Sequence, residues 1–455
     1  MVRSTSWTRR RLGLRLGMAG VAGVAGVMGA AVGCGQGGTA STGVDSAPRP
    51  GAVPVKISFS HWGTESGLGQ MNREAARQFT EAYPNITVEL IFKPTDYLTH
   101  LRTMFAGDSA PDVFDISTPD FPQWAKAGTM RNVDAYVRRD QGKGFDWNDL
   151  WPRHRDSGKY KGAVMGVLAR VSPHVLYYNP SLFQRAGVQA PDEKWGYAEF
   201  LEAARRLTGP AGAGGKPVTF GYTINNTAHW IWRNGGDYIV PRGEGKWQPV
   251  LNSNATIDAV QYLADLRHKH RVAATTEDLG NPGTRPYATW FQEEQVAMHD
   301  DLVARVTDYR ANPRMTLERF DVAHLPKLAG ARATNMDRVV RPIAASSKAP
   351  EEGWLWIKFL LQRPAITAVS MPAVVSWVKS NEFLRPDLPP RNMKVFLEAL
   401  EYARTVPEHP RWDALGDVIN TALNDAFEGR QSAKLACEQA QREVSGLLQQ
   451  WGELP

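Results

Sequence analysis

The run Val55-Lys56-Ile57-Ser58-Phe59-Ser60, the helical stretch Leu68–Tyr83 stopped by Pro84-Asn85, and the run Thr87-Val88-Glu89-Leu90-Ile91-Phe92 decide the fold class. The first run alternates apolar with polar residues, as a half-buried strand does, and the last is a second strand. The segment between them is amphipathic and of helical length. A second helical stripe follows in Tyr97, Leu98, Leu101, Met104 and Phe105, and Pro111 introduces a short third strand over Asp112–Ile116. Strands alternating with helices of this length imply βαβ units on a parallel sheet, hence an α/β protein. Ligands of such sheets sit beyond the carboxyl ends of the strands. Those ends are His61-Trp62-Gly63-Thr64-Glu65 and Ser117-Thr118-Pro119-Asp120.

The pattern continues outward. Val175–Tyr178 reads as a strand, with a helix after Asn179-Pro180, and a helix opens at Trp195 and runs through Leu207. A glycine-rich loop precedes a strand over Val218–Ile224, and Trp230, Trp232, Asn234, Gly235, Gly236 and Asp237 crowd together. Helices are expected over Asn254–His268, Thr289–Gln295, Trp354–Leu361, Phe396–Arg404 and Trp412–Trp451, with strand plus turn at Phe320–Pro326. There is no internal repeat.

The N-terminus reads as an address. Arg3, Arg9, Arg10, Arg11 and Arg15 precede an uncharged run from Leu16 to Val32 that holds five glycines, and Ala31-Val32-Gly33-Cys34 follows. A basic region, a weakly apolar region and small residues make a secretory signal, too short and too feebly apolar for a membrane span. Small residues before Cys34 resemble a bacterial lipobox, with Ala31 where leucine is usual, so Cys34 is the expected lipidation site. Thr8-Arg9-Arg10-Arg11-Leu12 resembles a twin-arginine export signal. Residues 35–51, rich in Gly, Ser, Thr and Pro, read as a flexible tether. The expected location is extracytoplasmic, on the outer face of the cytoplasmic membrane.

Those five arginines carry most of the net charge of +6; without them 48 basic face 47 acidic residues, or +1. No nucleic-acid footprint remains. With Cys34 assigned to lipid, Cys437 has no partner and reads as a small core residue. About 400 mature residues exceed what one hydrophobic core serves, so two domains are expected. No G-x-S-x-G, H-E-x-x-H or P-loop pattern is present, which disfavours catalysis and leaves a cofactor unneeded.

The order of segments resembles the family 1 extracellular solute-binding proteins, the carbohydrate-binding subunits of bacterial ABC importers. The matching pieces include Phe59–Trp62, Pro111-Asp112-Val113, Val175–Asn179, Trp195–Phe200, Asn234–Asp237, Val296-Ala297-Met298, Ala323–Pro326 and Ser347-Lys348. The resemblance implies a two-lobed, periplasmic-binding-protein-like clamshell with hinge crossings. Lobe one then takes 52–172 with 328–372, and lobe two takes 173–327 with 373–455. Crossings fall near Ser172–His174, Leu325–Leu328 and Met371–Val374. The implied partners are a saccharide, the transmembrane subunits of a permease and, through the lipid anchor, the membrane; a monomer is expected. The alternatives are a secreted glycan-acting enzyme, or a binding protein for a polyol or glycerol phosphodiester.

A sugar presents C–H faces that stack on aromatic rings and hydroxyls that need carboxylates, amides or guanidinium groups. Trp62 suits stacking and Glu65 suits accepting a hydroxyl proton, unless both belong to an ordinary loop. Asp120 is either a ligand carboxylate or the N-cap of a helix over Phe121–Lys126. Trp230 and Trp232 occupy the segment the family commonly uses for stacking. Two residues apart, they cannot share a helix face, and Trp230 is favoured. Trp377 follows the third crossing and is placed to line the cleft, whereas Trp290 reads as core. Asp300 and Arg338 stand where relatives carry glycine-rich backbone, so they either face the ligand or form surface ion pairs. His268-Lys269-His270 has no third ligand at suitable spacing, and no metal is expected.

Overall fold

The computed structural model describes residues 53–455 except 63–67, 94, 211, 213–214, 216, 244, 282–285, 329–330 and 364–369. The signal sequence, Cys34, the tether and Glu65 lie outside the described residues.

Strand β1 (Val55–Trp62) is followed by helix α1 (Leu68–Ala82), strand β2 (Ile86–Lys93), helix α2 (Tyr97–Ala106) and strand β3 (Val113–Phe114). β1 lies in the middle, parallel to β2 from Val55↔Ile86 to Trp62↔Lys93 and parallel to β3 through Phe59↔Val113. The βαβ reading therefore holds. The alternation works because Ile57 and Phe59 are fully buried. α1 packs Ala75 and Phe79 onto the sheet, where Phe79 meets Trp356 and Phe359 edge-on.

The expected third strand is split. β3 ends at Phe114, and β4 (Ile116–Ser117) leads into helix α3 (Phe121–Lys126). Asp115, between the two strands, is fully buried, and Arg170 (3.1 Å) and Arg341 (2.8 Å) bind its carboxylate. Burial opposes its charge, but the two guanidinium groups outweigh that and hold the carboxyl below the usual range. The kink turns the chain from one sheet into the next.

β5 (Val167–Pro173) is buried throughout, and β6 (Val175–Tyr178) begins one residue after it ends. Helix α4 (Tyr197–Leu207), strand β7 (Tyr222–Thr223), helices α5 (Ala228–Arg233) and α6 (Asn254–His268), and strands β8 (Ala273–Ala274), β9 (Met298–Asp301) and β10 (Asp321–Ala323) follow. They form a five-stranded sheet in the order β8-β7-β9-β6-β10. Only Tyr222 and Thr223 of the expected Val218–Ile224 strand join it.

β11 (Thr334–Arg341) returns antiparallel to β5, with helix α7 (Pro350–Gln362) after it, and β12 (Met371–Pro372) pairs with the other edge of β5. β13 (Ala403–Arg404) pairs parallel with Thr334 and Asn335, so the helix expected over Phe396–Arg404 ends at Ala399. The sheet order is β12-β5-β11-β13, with β4 also on β11.

The tail is two helices, α8 (Trp412–Phe427) and α9 (Ala433–Gln450), rather than one. Gly429, at a φ of 69°, ends the first, and the Ser432 side chain accepts the Leu435 N–H to start the second. Both pack on α6, and Cys437 is buried in that core, free of any disulfide. Two large hydrophobic cores result. One joins β1, β5, α1 and α7 and extends to Val175 and Tyr177 of β6 and Val322 of β10; the other joins the opposite face of β6 with α4 to α6, α8 and α9. The two five-stranded sheets meet where β5 gives way to β6 through His174 alone. Among the described residues, no helix is long and apolar enough to cross a membrane.

Candidate functional site

Trp62 is the last residue of β1, so it stands at the carboxyl end of the central parallel strand. Its ring lies 4.5 Å from that of Tyr97, at the start of α2. Tyr97 is buried, and its hydroxyl is shared between the carbonyls of Ser60 (3.0 Å) and Asp115 (2.9 Å), which fixes the ring under Trp62. A cavity of about 420 Å³ opens beside this pair, lined by Trp62, Asp96, Tyr97, Leu98, Thr99, Arg102 and Asp413. Arg102 belongs to α2 and Asp413 to α8, so the 3.2 Å ion pair between them joins helices 311 residues apart in sequence. The cavity is therefore a cleft between elements distant in sequence, with two aromatic rings among its lining.

Asp120 lies close to the Arg102 and Asp413 of this cleft. It occupies the N-cap position of α3 but makes no side-chain cap hydrogen bond. Ser117 donates its hydroxyl to the carboxylate, and the Asp413 carboxyl of α8 faces it. Burial and the repulsion of Asp413 outweigh the help of Ser117 and Arg102, and lift the Asp120 carboxyl to about 6. This carboxylate is short of donors, which is the condition a hydroxyl-bearing ligand relieves.

The other sequence candidates lie elsewhere. Trp230 is fully buried and is no stacking platform. Tyr197, Phe200, Tyr222 and Tyr262 surround its ring, Arg233 stacks on it at 4.2 Å, and its N–H donates to the Tyr222 hydroxyl. Trp232 is 4% exposed and donates to Asp237, while Arg404 lies over its ring. α5 is only six residues long and wedged against α6, so both its tryptophans are consumed by packing. Arg338 is spent on Ser157, Thr405 and Glu408. Trp377 is half-buried over Phe383 and donates to Glu382. Trp290 is core, as its sequence context indicates.

Asp300 faces a buried cluster, not solvent. Tyr222 donates to one carboxylate oxygen (2.7 Å), His174 lies 3.2 Å from the other, and His229 stands 3.8 Å from that same atom. Burial opposes its charge, but His229, His174 and Tyr222 hold the carboxyl down at about 2. His268 and His270 have separate partners, the Phe427 carbonyl and Arg205.

Tyr97, Arg102 and Asp413 were not singled out as ligand residues from the sequence. Tyr97 carries a partial signal, since it is the first apolar residue of the helical stripe that follows the second strand. Asp413 carries none, because it lies far along the chain at the start of an unremarkable helix.

Such an architecture, α/β sheets with a cleft at a strand end and a chain crossing from sheet to sheet, defines a two-lobed binding protein. The family model described as bacterial extracellular solute-binding protein matches residues 63–365, and the chain belongs to that family. A protein of Brucella abortus (strain 2308) named as a binding protein is 22% identical over 418 residues, 87% of this chain and 94% of that one. The arabinooligosaccharide-binding protein of Halalkalibacterium halodurans is 24% identical over 269 residues, 56% of this chain and 53% of its own length. An ABC substrate-binding protein of Listeria monocytogenes, solved with cycloalternan, superposes with a TM-score of 0.75 at 22% identity, covering 87% of this chain and 99% of that one. That likeness shows the two-lobed, periplasmic-binding-protein-like fold. The family is one of binding proteins, not enzymes.

Proposed function

We propose that this chain is the extracytoplasmic capture subunit of an ABC importer for a saccharide, and that the ligand lies over Trp62, which Tyr97 supports from beneath, with hydroxyls on Asp120 and Asp413. The observation that carries the reading is a fixed aromatic pair at one cleft with the carboxylates of Asp120 and Asp413 beside it. Aromatic faces take the C–H side of a sugar, and ionised carboxylates take its hydroxyl protons. The oligosaccharides named for the Halalkalibacterium and Listeria relatives support the same class.

In this reading the lobes are 52–172 with 328–372 and 173–327 with 373–455, and the segments around His174, between β10 and β11, and after β12 act as the hinge. Binding favours closure only because contacts come from both lobes; a ligand touching one lobe equally in both states shifts nothing. Cys34 anchors the protein by lipid to the outer face of the cytoplasmic membrane, with residues 35–51 as tether, and a permease receives the sugar. Twin-arginine export and a monomeric state belong to the same proposal.

A thermal-shift screen of mono- and oligosaccharides, polyols, sugar phosphates and short peptides, with calorimetry on each hit, tests it. Saturable stabilisation by one glycan class without turnover is the expected result. Silence from every sugar, with a hit among peptides or phosphates, overturns the saccharide assignment.

A further inference from the structure

We propose that His174, His229 and Asp300 form a binding site for one divalent transition-metal ion, of the Zn²⁺ type. The three residues come from distant parts of the chain: the link between β5 and β6, helix α5, and strand β9. Their candidate donor atoms all lie within 4.8 Å of one another. The Asp300 carboxylate oxygen stands 3.2 Å from His174 Nδ1 and 3.8 Å from His229 Nε2. Donor atoms about 2.0–2.2 Å from a tetrahedral ion stand about 3.4 Å apart, so the two distances bracket what an ion requires. Two imidazoles with one carboxylate suit Zn²⁺ and its neighbours rather than Mg²⁺ or Ca²⁺, which prefer oxygen.

His229 points to a ligand. It is fully buried, and neither ring nitrogen has a hydrogen-bond partner among the described residues, although Nε2 is directed at Asp300. A buried imidazole without partners is costly, and an ion on Nε2 removes half of that cost.

The surroundings resemble a supporting shell. Tyr222 donates to the other Asp300 oxygen, and Trp230 in turn donates to the Tyr222 hydroxyl. Asn225 donates to the Asp300 carbonyl at 2.8 Å. These bonds fix the carboxylate with its second oxygen toward the two histidines. Arg233 opposes a cation here, but its guanidinium is drawn onto the Trp230 ring and the Pro326 carbonyl. His174, 6% exposed, is the most accessible of the three. An ion bound there ties the link between β5 and β6 to β9 and α5.

The test uses the untagged full chain, stripped with a chelator and titrated with Zn²⁺ and Co²⁺ by calorimetry and by visible absorption of the cobalt form. One equivalent per chain, a rise in melting temperature and cobalt d–d bands are expected. His229→Ala should weaken binding more than about 100-fold, and Tyr222→Phe, which keeps the packing, about 10–100-fold. The double variant His268→Ala/His270→Ala should bind as the parent does. Absence of a saturable equivalent, binding unchanged in Tyr222→Phe, or loss in the His268/His270 variant overturns the proposal.

Discussion

Asp120 and Asp300 are both buried aspartates, and their surroundings push them in opposite directions. Asp300 receives Tyr222 on one oxygen and faces His174 and His229 with the other, so it stays ionised down to about pH 2. Asp120 receives one hydroxyl and faces another carboxylate, and titrates near 6. The difference lies in donor supply. Where the protein provides donors, the fold itself holds the carboxylate ionised; where it provides an acid opposite an acid, the missing donors come from what binds.

The largest effect separates the two by stability. Asp300→Ala leaves His174 buried without its counter-charge and should cost about 3–5 kcal/mol in urea unfolding. Asp120→Asn, which removes an ill-paired charge, should cost nothing or stabilise slightly. Comparable losses in both variants would break the comparison. The same contrast applies to the tryptophans: Trp230→Ala should cost about 3–5 kcal/mol of stability, and Trp62→Ala far less.

Affinity should invert that order. Loss of a charged hydrogen-bond acceptor in Asp120→Asn should weaken saccharide binding by about 1.5–3 kcal/mol, read by calorimetry. Trp62→Ala should weaken it about tenfold, near 1.4 kcal/mol.

The pH dependence follows from the same shifts. The folded Asp120 carboxyl holds its proton more tightly than the unfolded one, so its protonated form favours folding, and that contribution is lost as pH rises through about 6. Asp300 is depressed, so its contribution is present above the unfolded value near 3.8 and is lost as pH falls through about 2. A ligand that donates to ionised Asp120 should bind about tenfold more weakly at pH 5 than at neutral pH, and Asp120→Asn should flatten that profile. The smallest effect belongs to the exposed Arg102–Asp413 pair. Arg102→Ala should change stability by less than about 1 kcal/mol, because solvent and salt screen it.

The fold was legible because local patterns carry it. β1, α1 and β2 read directly from alternation and helical spacing, and the strand ends already marked Trp62 and Asp120. Breaks set by tertiary pairing were not legible: Ala403-Arg404 becomes a strand only because Thr334 and Asn335 lie beside it. The candidate site was half legible for the same reason. Trp62 and Trp230 are equally aromatic in sequence, and only packing shows that α5 is sealed between helices while the end of β1 is open. Asp413 reaches the cleft through the docking of α8, which no local pattern announces.

The most direct measurement is calorimetric titration of an oligosaccharide panel into the full chain, the Trp62→Ala and Asp120→Asn variants, and an Arg404→Ala control outside the cleft lining. Binding to the parent and the control, weakened at least tenfold by either cleft variant without loss of fold, is the predicted result. A saccharide bound equally well by all four proteins would contradict the assignment of the cleft.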